Sequence, residues 1–307
     1  MAFLNKGQAH NIGTNGEFKV LDWFNDKKNS ISIRNRLEKI LGRQIHNEFN
    51  FVLLGGTSNR PDIVDIENNI NISVKSKKYD ANSGYHGTFD LINTTINNVY
   101  SDIDTDNLND SYVSNIQHWE SDEKKSILEL LQNYKDKIEK IDRNIDKNSF
   151  KNVINEEINK IINNIDYTTI NLLFQKIFEK ERDTVDVIRD YINSPDEDIL
   201  EDDIHFLDTM WIRKEFEKLD QNTTYETKNS SIRLKNTDGS NSVFRLRVVL
   251  NNGTEALMRN LGIIEQQKGK NSSSVLTFKI QVDDVQKIVD NYSVSSIKFT
   301  KKNIFIR

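Results

Sequence analysis

The chain has 307 residues, a net charge of −5 and no cysteine, which excludes disulfides and thiolate metal sites. No apolar run reaches the length of a membrane span and the N-terminus lacks a signal-peptide core, so we expect a soluble, cytoplasmic protein with no membrane partner. The charge is −2 over residues 1–118, −9 over 119–205 and +6 over 206–307, so the C-terminal end favours an anionic partner.

Two helices and a short strand are predicted first. Apolar residues recur at helical spacing over 15–26, and Glu17 falls in the first turn, where the helix dipole favours an acid. A second helix is predicted over 31–41, and Gly42 is placed to end it. The apolar residues 49–54 predict a strand.

Residues 61–75 predict a β-hairpin, which is two short strands joined by a tight turn. Asn68 and Asn69 tolerate positive φ and suit a two-residue turn. That turn would place Asp62 opposite Lys75. A slip of one residue would turn every side chain to the other face of the hairpin.

Strand parity brings three polar side chains of this hairpin together. Because side chains alternate along a strand, Asp62, Ser73 and Lys75 are expected on one face, with Val74 behind them. Asp65 alternates away from Asp62, so we expect it to face solvent. The pattern fits a metal-binding acid beside an ammonium group, and it equally fits an ordinary hairpin with a polar outer face.

The next part of the chain is predicted to be largely helical. Residues 89–100 predict a helix for which Asp90 is a candidate N-cap. Apolar residues recur at intervals of three and four over much of 121–216, which again favours helices. Beyond residue 225 the pattern changes to alternation, which predicts strands at 231–235, 242–250 and 274–280.

Phosphodiester hydrolysis is the chemistry that the hairpin suits. It requires an activated water and neutralised charge on the phosphate, which Mg²⁺ provides through oxygen ligands. Asp62 is the best ligand, and the backbone carbonyl of Val74 is another. Lys75 would orient the water and stabilise charge in the transition state. The hydroxyl of Ser73 can orient water but adds no charge where a second carboxylate would be convenient.

The sequence offers two sources for that missing carboxylate. Glu17 lies at the start of the first helix, and Asp90 follows a glycine-containing loop. Each also has an ordinary explanation, because the helix dipole favours Glu17 and a helix cap accounts for Asp90.

Pro61-Asp62, followed after ten residues by Ser73-Val74-Lys75, resembles the PD-(D/E)xK motif of nucleases. The closest similarity is to type II restriction endonucleases, several of which place a neutral polar residue before the lysine. The resemblance implies a mixed α/β fold with a restriction-endonuclease-like core, in which helices flank a central mixed sheet. It also implies that Asp62, and less directly Glu17, bind the metal and that Lys75 is the catalytic lysine.

Charge and patterning divide the chain into residues 1–118, an acidic helical region at 119–216 and a β-rich region at 217–307. The resemblance implies that the first is the catalytic core, and the last is expected to recognise DNA. The expected function is Mg²⁺-dependent, sequence-specific cleavage of double-stranded DNA, in which water attack leaves 5′-phosphate ends. The alternatives are a repair, recombination or methyl-directed nuclease of the same fold, and a non-catalytic DNA-binding protein.

The DNA-binding residues are predicted from charge and alternation. A two-stranded ribbon fits the major groove, where Arg and Lys prefer guanine and Asn prefers adenine. The candidates on such a ribbon are Arg233, Lys235, Asn241, Arg245 and Arg247. Lys77 and Lys78 are expected to contact phosphates without reading sequence. Two-fold symmetric DNA sites often pair with dimers, so a homodimer is compatible with this function.

Overall fold

The computed structural model divides the chain into two compact units. One comprises Met1–Phe89, Phe178–Phe216 and Asp283–Arg307, and the other comprises Asp90–Ile177 and Glu217–Val282. The residues that the structure describes are 17–54, 61–80, 84–86, 89–95, 129–130, 133–181, 184–190, 199–219, 226–228, 231–270 and 274–295. Both units contain helices and strands, so the predicted mixed α/β class is confirmed. The three-part division at residues 118 and 216 stays a prediction.

The elements are numbered here in chain order over the described residues. The helices are α1 (17–25), α2 (Ser30–Leu41), α3 (133–139), α4 (Lys147–Ile162), α5 (Tyr167–Glu181), α6 (Trp211–Phe216), α7 (Gly253–Asn260) and α8 (Val285–Tyr292). The strands are β1 (Val52–Leu53), β2 (Ile63–Asp65), β3 (Ile70–Asp80), β4 (Gly84–His86), β5 (Phe89–Thr95), β6 (Thr184–Asp190), β7 (Ile204–Phe206), β8 (Glu226–Lys228), β9 (Ser231–Lys235), β10 (Asn241–Leu250) and β11 (Leu276–Val282).

The first unit is built on a mixed sheet with the strand order β1-β2-β3-β6-β7, and β4 pairs with the far end of β3. Strands β1, β2 and β3 are antiparallel neighbours, whereas β3 and β6 are parallel. A parallel pair requires a long crossover connection, and here the chain between β3 and β6 ends in α5. The mixed central sheet expected from the sequence is therefore present.

One face of this sheet is apolar and packs against α1 and α2. Their shared core contains Val20, Trp23, Phe24, Ile33, Leu37, Ile63, Ile70, Ile72, Val74, Val185 and Val187. Side chains alternate along a strand, so Asn71, Ser73 and Lys75 of β3 face the opposite side of the sheet. That opposite face carries the candidate site.

The turn of the hairpin differs from the prediction. Asp65 pairs with Ile70, so four residues form the turn instead of two. Asn69 has a φ of 49°, in the left-handed region that asparagine tolerates better than most residues. The register ends at Ile63, which pairs with Ile72, and the backbone N–H of Asp62 also bonds to Ile72. The Asp62 side chain accordingly contacts Ser73, and Asp62 does not pair with Lys75. Because the shift is two residues, side-chain parity is unchanged.

Asp65 was expected to face solvent, and that prediction is wrong. Its side chain is buried, and its carboxylate accepts hydrogen bonds from the backbone N–H of Asn50 at 3.0 Å and of Asn68 at 3.1 Å. The amide of Asn68 also donates to it at 2.9 Å. Asp65 therefore stabilises the turn that the sequence assigned to Asn68 and Asn69 alone.

Local patterns predicted the first helices better than the middle of the chain. Helix α2 ends at the predicted Gly42, whose φ is 64° and whose N–H donates to the carbonyl of Glu38 at 2.9 Å. The helix predicted over 89–100 is wrong where it is described, because Phe89–Thr95 is a strand. Asp90 therefore lies in a strand and is not a helix N-cap. Strands β6 and β7 also interrupt the region predicted as helical.

The second unit contains a sheet with the order β5-β11-β10-β9-β8. Its strands β9, β10 and β11 are antiparallel and confirm the strands predicted from alternation. The sheet packs against the helices of its unit through contacts such as that between Phe174 of α5 and Phe244 of β10, whose ring centroids are 4.7 Å apart. Within the described ranges, none of the helices has the length and apolar character needed to cross a membrane.

Candidate active site

Asp62 lies at a bend immediately before β2. Its backbone N–H donates to the carbonyl of Ile72 in β3 at 2.9 Å, and its carbonyl accepts from the N–H of Leu54 at 3.1 Å. These two bonds attach the residue to both neighbouring strands. The backbone of Asp62 is thus fixed before its side chain makes any contact.

The carboxylate of Asp62 caps β3. Its Oδ2 accepts from the backbone N–H of Val74 at 2.7 Å and from the hydroxyl of Ser73 at 3.2 Å. This oxygen takes the place of the backbone carbonyl that would accept from the Val74 N–H if β2 were longer. The side chain is 21% exposed, and among the described residues its contacts all fall on Oδ2. One carboxylate oxygen thus has a structural role while the side chain remains partly open to solvent.

Lys75 completes a hydrogen-bonded chain. Its Nζ donates to the Ser73 hydroxyl at 2.8 Å and lies 3.8 Å from Oδ2 of Asp62. Ser73 is fully buried, whereas the Lys75 side chain is 16% exposed. The structure therefore brings together the three side chains that parity predicted. Ser73 bridges the ammonium group and the carboxylate, so the order is Lys75, Ser73, Asp62.

The carbonyl of Val74 belongs to the same corner. A strand residue points its N–H and C=O to the same lateral side, and the Val74 N–H points to Asp62. The Val74 carbonyl therefore also points to the side of β3 on which Asp62 lies, just before the start of β2. Glu17 is half-buried at the start of the described part of α1, and its metal-binding role stays a prediction. The side chains of Lys77, Lys78 and Asp90 lie outside the described residues.

Asp186 is a buried acid beside this cluster that the sequence patterns did not identify. The parallel register of β3 and β6 pairs Ser73 directly with Asp186, so the two side chains share a face. Asp186 is 3% exposed, and its Oδ2 accepts from the indole Nε1 of Trp211 at 2.8 Å. The available signal was the run Thr184–Asp190, whose β-branched residues suit a strand, within a region predicted to be helical.

A His–Asp pair extends the polar face beyond Lys75. The register places Lys75 beside Ile188, and Ile188 beside His205 of β7. The Nε2 atom of His205 lies 3.1 Å from Oδ1 of Asp190, and both side chains are mostly buried. These groups were also absent from the predicted site.

The fit to Mg²⁺ depends on the donors at this corner. Mg²⁺ is usually held by one or two carboxylates, and water completes its octahedral shell. Asp62 and the carbonyl of Val74 satisfy that requirement with oxygen donors. In the part of the chain that the structure describes, no three or more His, Asp or Glu side chains form a group that could hold a metal. The donors fit a cation that keeps several waters, and they do not form a closed protein cage.

The second unit carries a basic sheet face that contains most of the predicted DNA-binding residues. Arg245 lies directly opposite Arg233, and Arg247 lies directly opposite Lys279. Like charges directly opposite each other are destabilising in a sheet unless neighbouring groups offset them, and Glu226 of β8 also pairs directly with Arg233. Lys235 donates to Oδ1 of Asn241 at 2.5 Å at the edge of this face.

Two residues of the basic face were missed. Lys279 and Gln281 of β11 point to the same side as Arg247 and Arg245, with which they pair. Strand alternation over β11 was recognised, but its pairing partner was not. The basic face is defined here as Arg233, Lys235, Arg245, Arg247, Lys279 and Gln281.

In comparisons with protein-family models, curated proteins and solved structures, nothing matches this chain.

Proposed function

We propose that this protein is a Mg²⁺-dependent endonuclease that cleaves double-stranded DNA at specific sequences, as type II restriction enzymes do. The observation that carries the proposal is the hydrogen-bonded chain of Lys75, Ser73 and Asp62 beside the start of β2. The ammonium group of Lys75 lies 2.8 Å from the Ser73 hydroxyl and 3.8 Å from the nearer carboxylate oxygen of Asp62. The mixed sheet with a parallel β3–β6 pair supports the nuclease-like core.

Each side chain has a defined role in this proposal. When bound, Mg²⁺ would neutralise charge on the phosphate and acidify the attacking water. Asp62 is held at Oδ2 by the Val74 N–H, and its other carboxylate oxygen would bind the cation. Lys75 is held by Ser73 and presents positive charge where negative charge develops on the phosphate. Water attack at phosphorus breaks the bond to the 3′-oxygen, which takes up a proton, and leaves a 5′-phosphate.

The decisive experiment incubates plasmid DNA with the protein, with and without Mg²⁺, and then sequences the ends. Defined fragments with 5′-phosphate ends, formed only when Mg²⁺ is present, are expected. Structure-dependent or methylation-dependent cutting would instead favour a repair, recombination or methyl-directed nuclease. DNA binding without cleavage in either Mg²⁺ or Mn²⁺ would contradict the proposal.

A non-catalytic DNA-binding protein is the second candidate, and one observation favours it. The carboxylate of Asp62 already serves as a strand cap, and an acid with that structural role needs no catalytic one. The plasmid experiment separates the two candidates because only the nuclease produces new DNA ends.

The basic face is proposed to hold DNA, and its effect is measurable through salt. Each phosphate contact contributes about 0.9 to the slope of log affinity against log salt concentration on duplex DNA. The variants Arg233→Gln and Arg247→Gln are each expected to lower that slope by about 1 if they contact phosphate. Lys39→Gln is the matched control, because Lys39 is exposed on α2 in the other unit.

Base reading by the same residues would give a different result. Loss of a bidentate contact to guanine costs about 1–3 kcal/mol for the preferred sequence and relaxes specificity there. Filter binding or fluorescence anisotropy on specific and random duplexes separates these outcomes. An unchanged affinity and slope in both Arg variants would remove the basic face from the proposal.

A further inference from the structure

The position of Ser73 lacks the negative charge that a second carboxylate would supply, and a neighbouring strand has one. In a parallel sheet, adjacent strands lie about 4.8 Å apart and residues in register point to the same face. Ser73 and Asp186 are such a pair. Asp186 therefore lies beside the bridging hydroxyl, on the face that also carries Lys75.

The orientation of the Asp186 carboxylate is fixed by a separate element. Trp211 begins α6 and is almost fully buried, and its indole Nε1 donates to Oδ2 of Asp186 at 2.8 Å. Carboxylates that bind metals are commonly held in this way by hydrogen bonds from outside the ligand shell. An indole donor suits this purpose because it carries no charge that would compete with a cation.

Burial strengthens the case for a cationic ligand. Asp186 is 3% exposed, so little water is available to solvate its charge. A divalent cation at the Asp62 corner would interact with this acid more strongly than with an exposed one.

We propose that Asp186 is the second carboxylate of the metal site, in place of the acid that Ser73 lacks. The inference rests on the proposed nuclease function, because it assigns a ligand for the same divalent cation. Asp62, immediately before β2, and Asp186, in β6, would then approach the cation from the two sides of β3. Ser73 keeps its bridging role between Lys75 and Asp62.

The test measures Mn²⁺ binding to the full chain by electron paramagnetic resonance, without DNA. Asp186→Asn is expected to weaken Mn²⁺ binding by at least about 10- to 100-fold. Asp65→Asn is the matched control, because Asp65 is another buried acid of the same sheet that binds backbone N–H groups. It is expected to lower stability in urea and leave Mn²⁺ affinity unchanged.

A charge swap makes the test more specific. Ser73→Asp in the Asp186→Asn background is expected to restore at least about a tenth of the wild-type Mn²⁺ affinity, as a relocated ligand would. Glu17→Gln and Asp90→Asn are measured in parallel. A loss in either of these two with no loss in Asp186→Asn would overturn the inference.

The outcomes separate this inference from the proposed function. If Asp62→Asn loses Mn²⁺ and Asp186→Asn binds it normally, the Asp186 assignment is wrong and the nuclease proposal stands. If the wild-type protein neither binds Mn²⁺ nor cuts plasmid DNA, the nuclease proposal itself fails. Should Asp186→Asn not fold, Trp211→Phe removes the indole donor, with some buried ring volume, and leaves Asp186 itself in place. Unchanged Mn²⁺ affinity in that folded variant would also overturn the inference.

Discussion

Replacing Asp62 by asparagine is expected to lower the rate of DNA cleavage by about a thousand-fold while the protein remains folded. The amide oxygen of asparagine can still accept from the Val74 N–H and the Ser73 hydroxyl, so the cap on β3 survives. The change removes the charge that binds the cation in the proposed function. Loss of several kcal/mol of metal-derived stabilisation corresponds to this reduction, since about 4 kcal/mol is a thousand-fold in rate.

Asp62→Ala provides the comparison that separates the two roles of this residue. Alanine removes both the charge and the acceptor, so the Val74 N–H loses its partner at a cost of about 1–3 kcal/mol. Urea unfolding should therefore distinguish the two variants, whereas both should cleave DNA at least about a thousand-fold more slowly than the wild type. Full cleavage by a folded Asp62→Asn variant would show that the carboxylate is only a strand cap.

The three-residue cluster was predictable because strand parity tolerates an error of two residues. The predicted turn at Asn68 and Asn69 was too short, yet a shift of two leaves the same side chains on the same face. The burial of Asp65 was not predictable from alternation. Its carboxylate binds the N–H of Asn50, in a segment that precedes the hairpin, and local patterns contain no information on that contact.

The position of Asp186 beside Ser73 could not be predicted from the sequence. Its strand is separated from Ser73 by more than a hundred positions in the chain, and the pairing is parallel, so no turn signals it. The same limit applies to Lys279, whose place opposite Arg247 depends on the pairing of β10 with β11. Alternation predicts which residues share a face of one strand. Which residues of two distant strands lie side by side depends on the register between those strands, and local patterns do not contain it.

Lys75→Met is expected to lower the cleavage rate by about 100- to 1,000-fold, which is the usual effect of removing one group that stabilises transition-state charge. Methionine keeps the apolar stem of the side chain and removes the ammonium group that lies 3.8 Å from Oδ2 of Asp62. The Ser73 hydroxyl can still donate to Asp62, so the geometry of the acid is preserved. Mn²⁺ affinity should therefore stay within a few-fold of wild type.

This separation of cleavage from metal binding would distinguish Lys75 from Asp62 and Asp186, the two acids proposed to bind the metal. Single-turnover cleavage at saturating Mg²⁺ measures the chemical step, and the exposed Lys39→Met on α2 is the control for loss of one lysine. Lys75→Arg should restore only part of the rate, since a planar guanidinium cannot reproduce the single short bond to the Ser73 hydroxyl. A folded Lys75→Met variant that cleaves at the wild-type rate would restrict Lys75 to holding Ser73 and Asp62 in place.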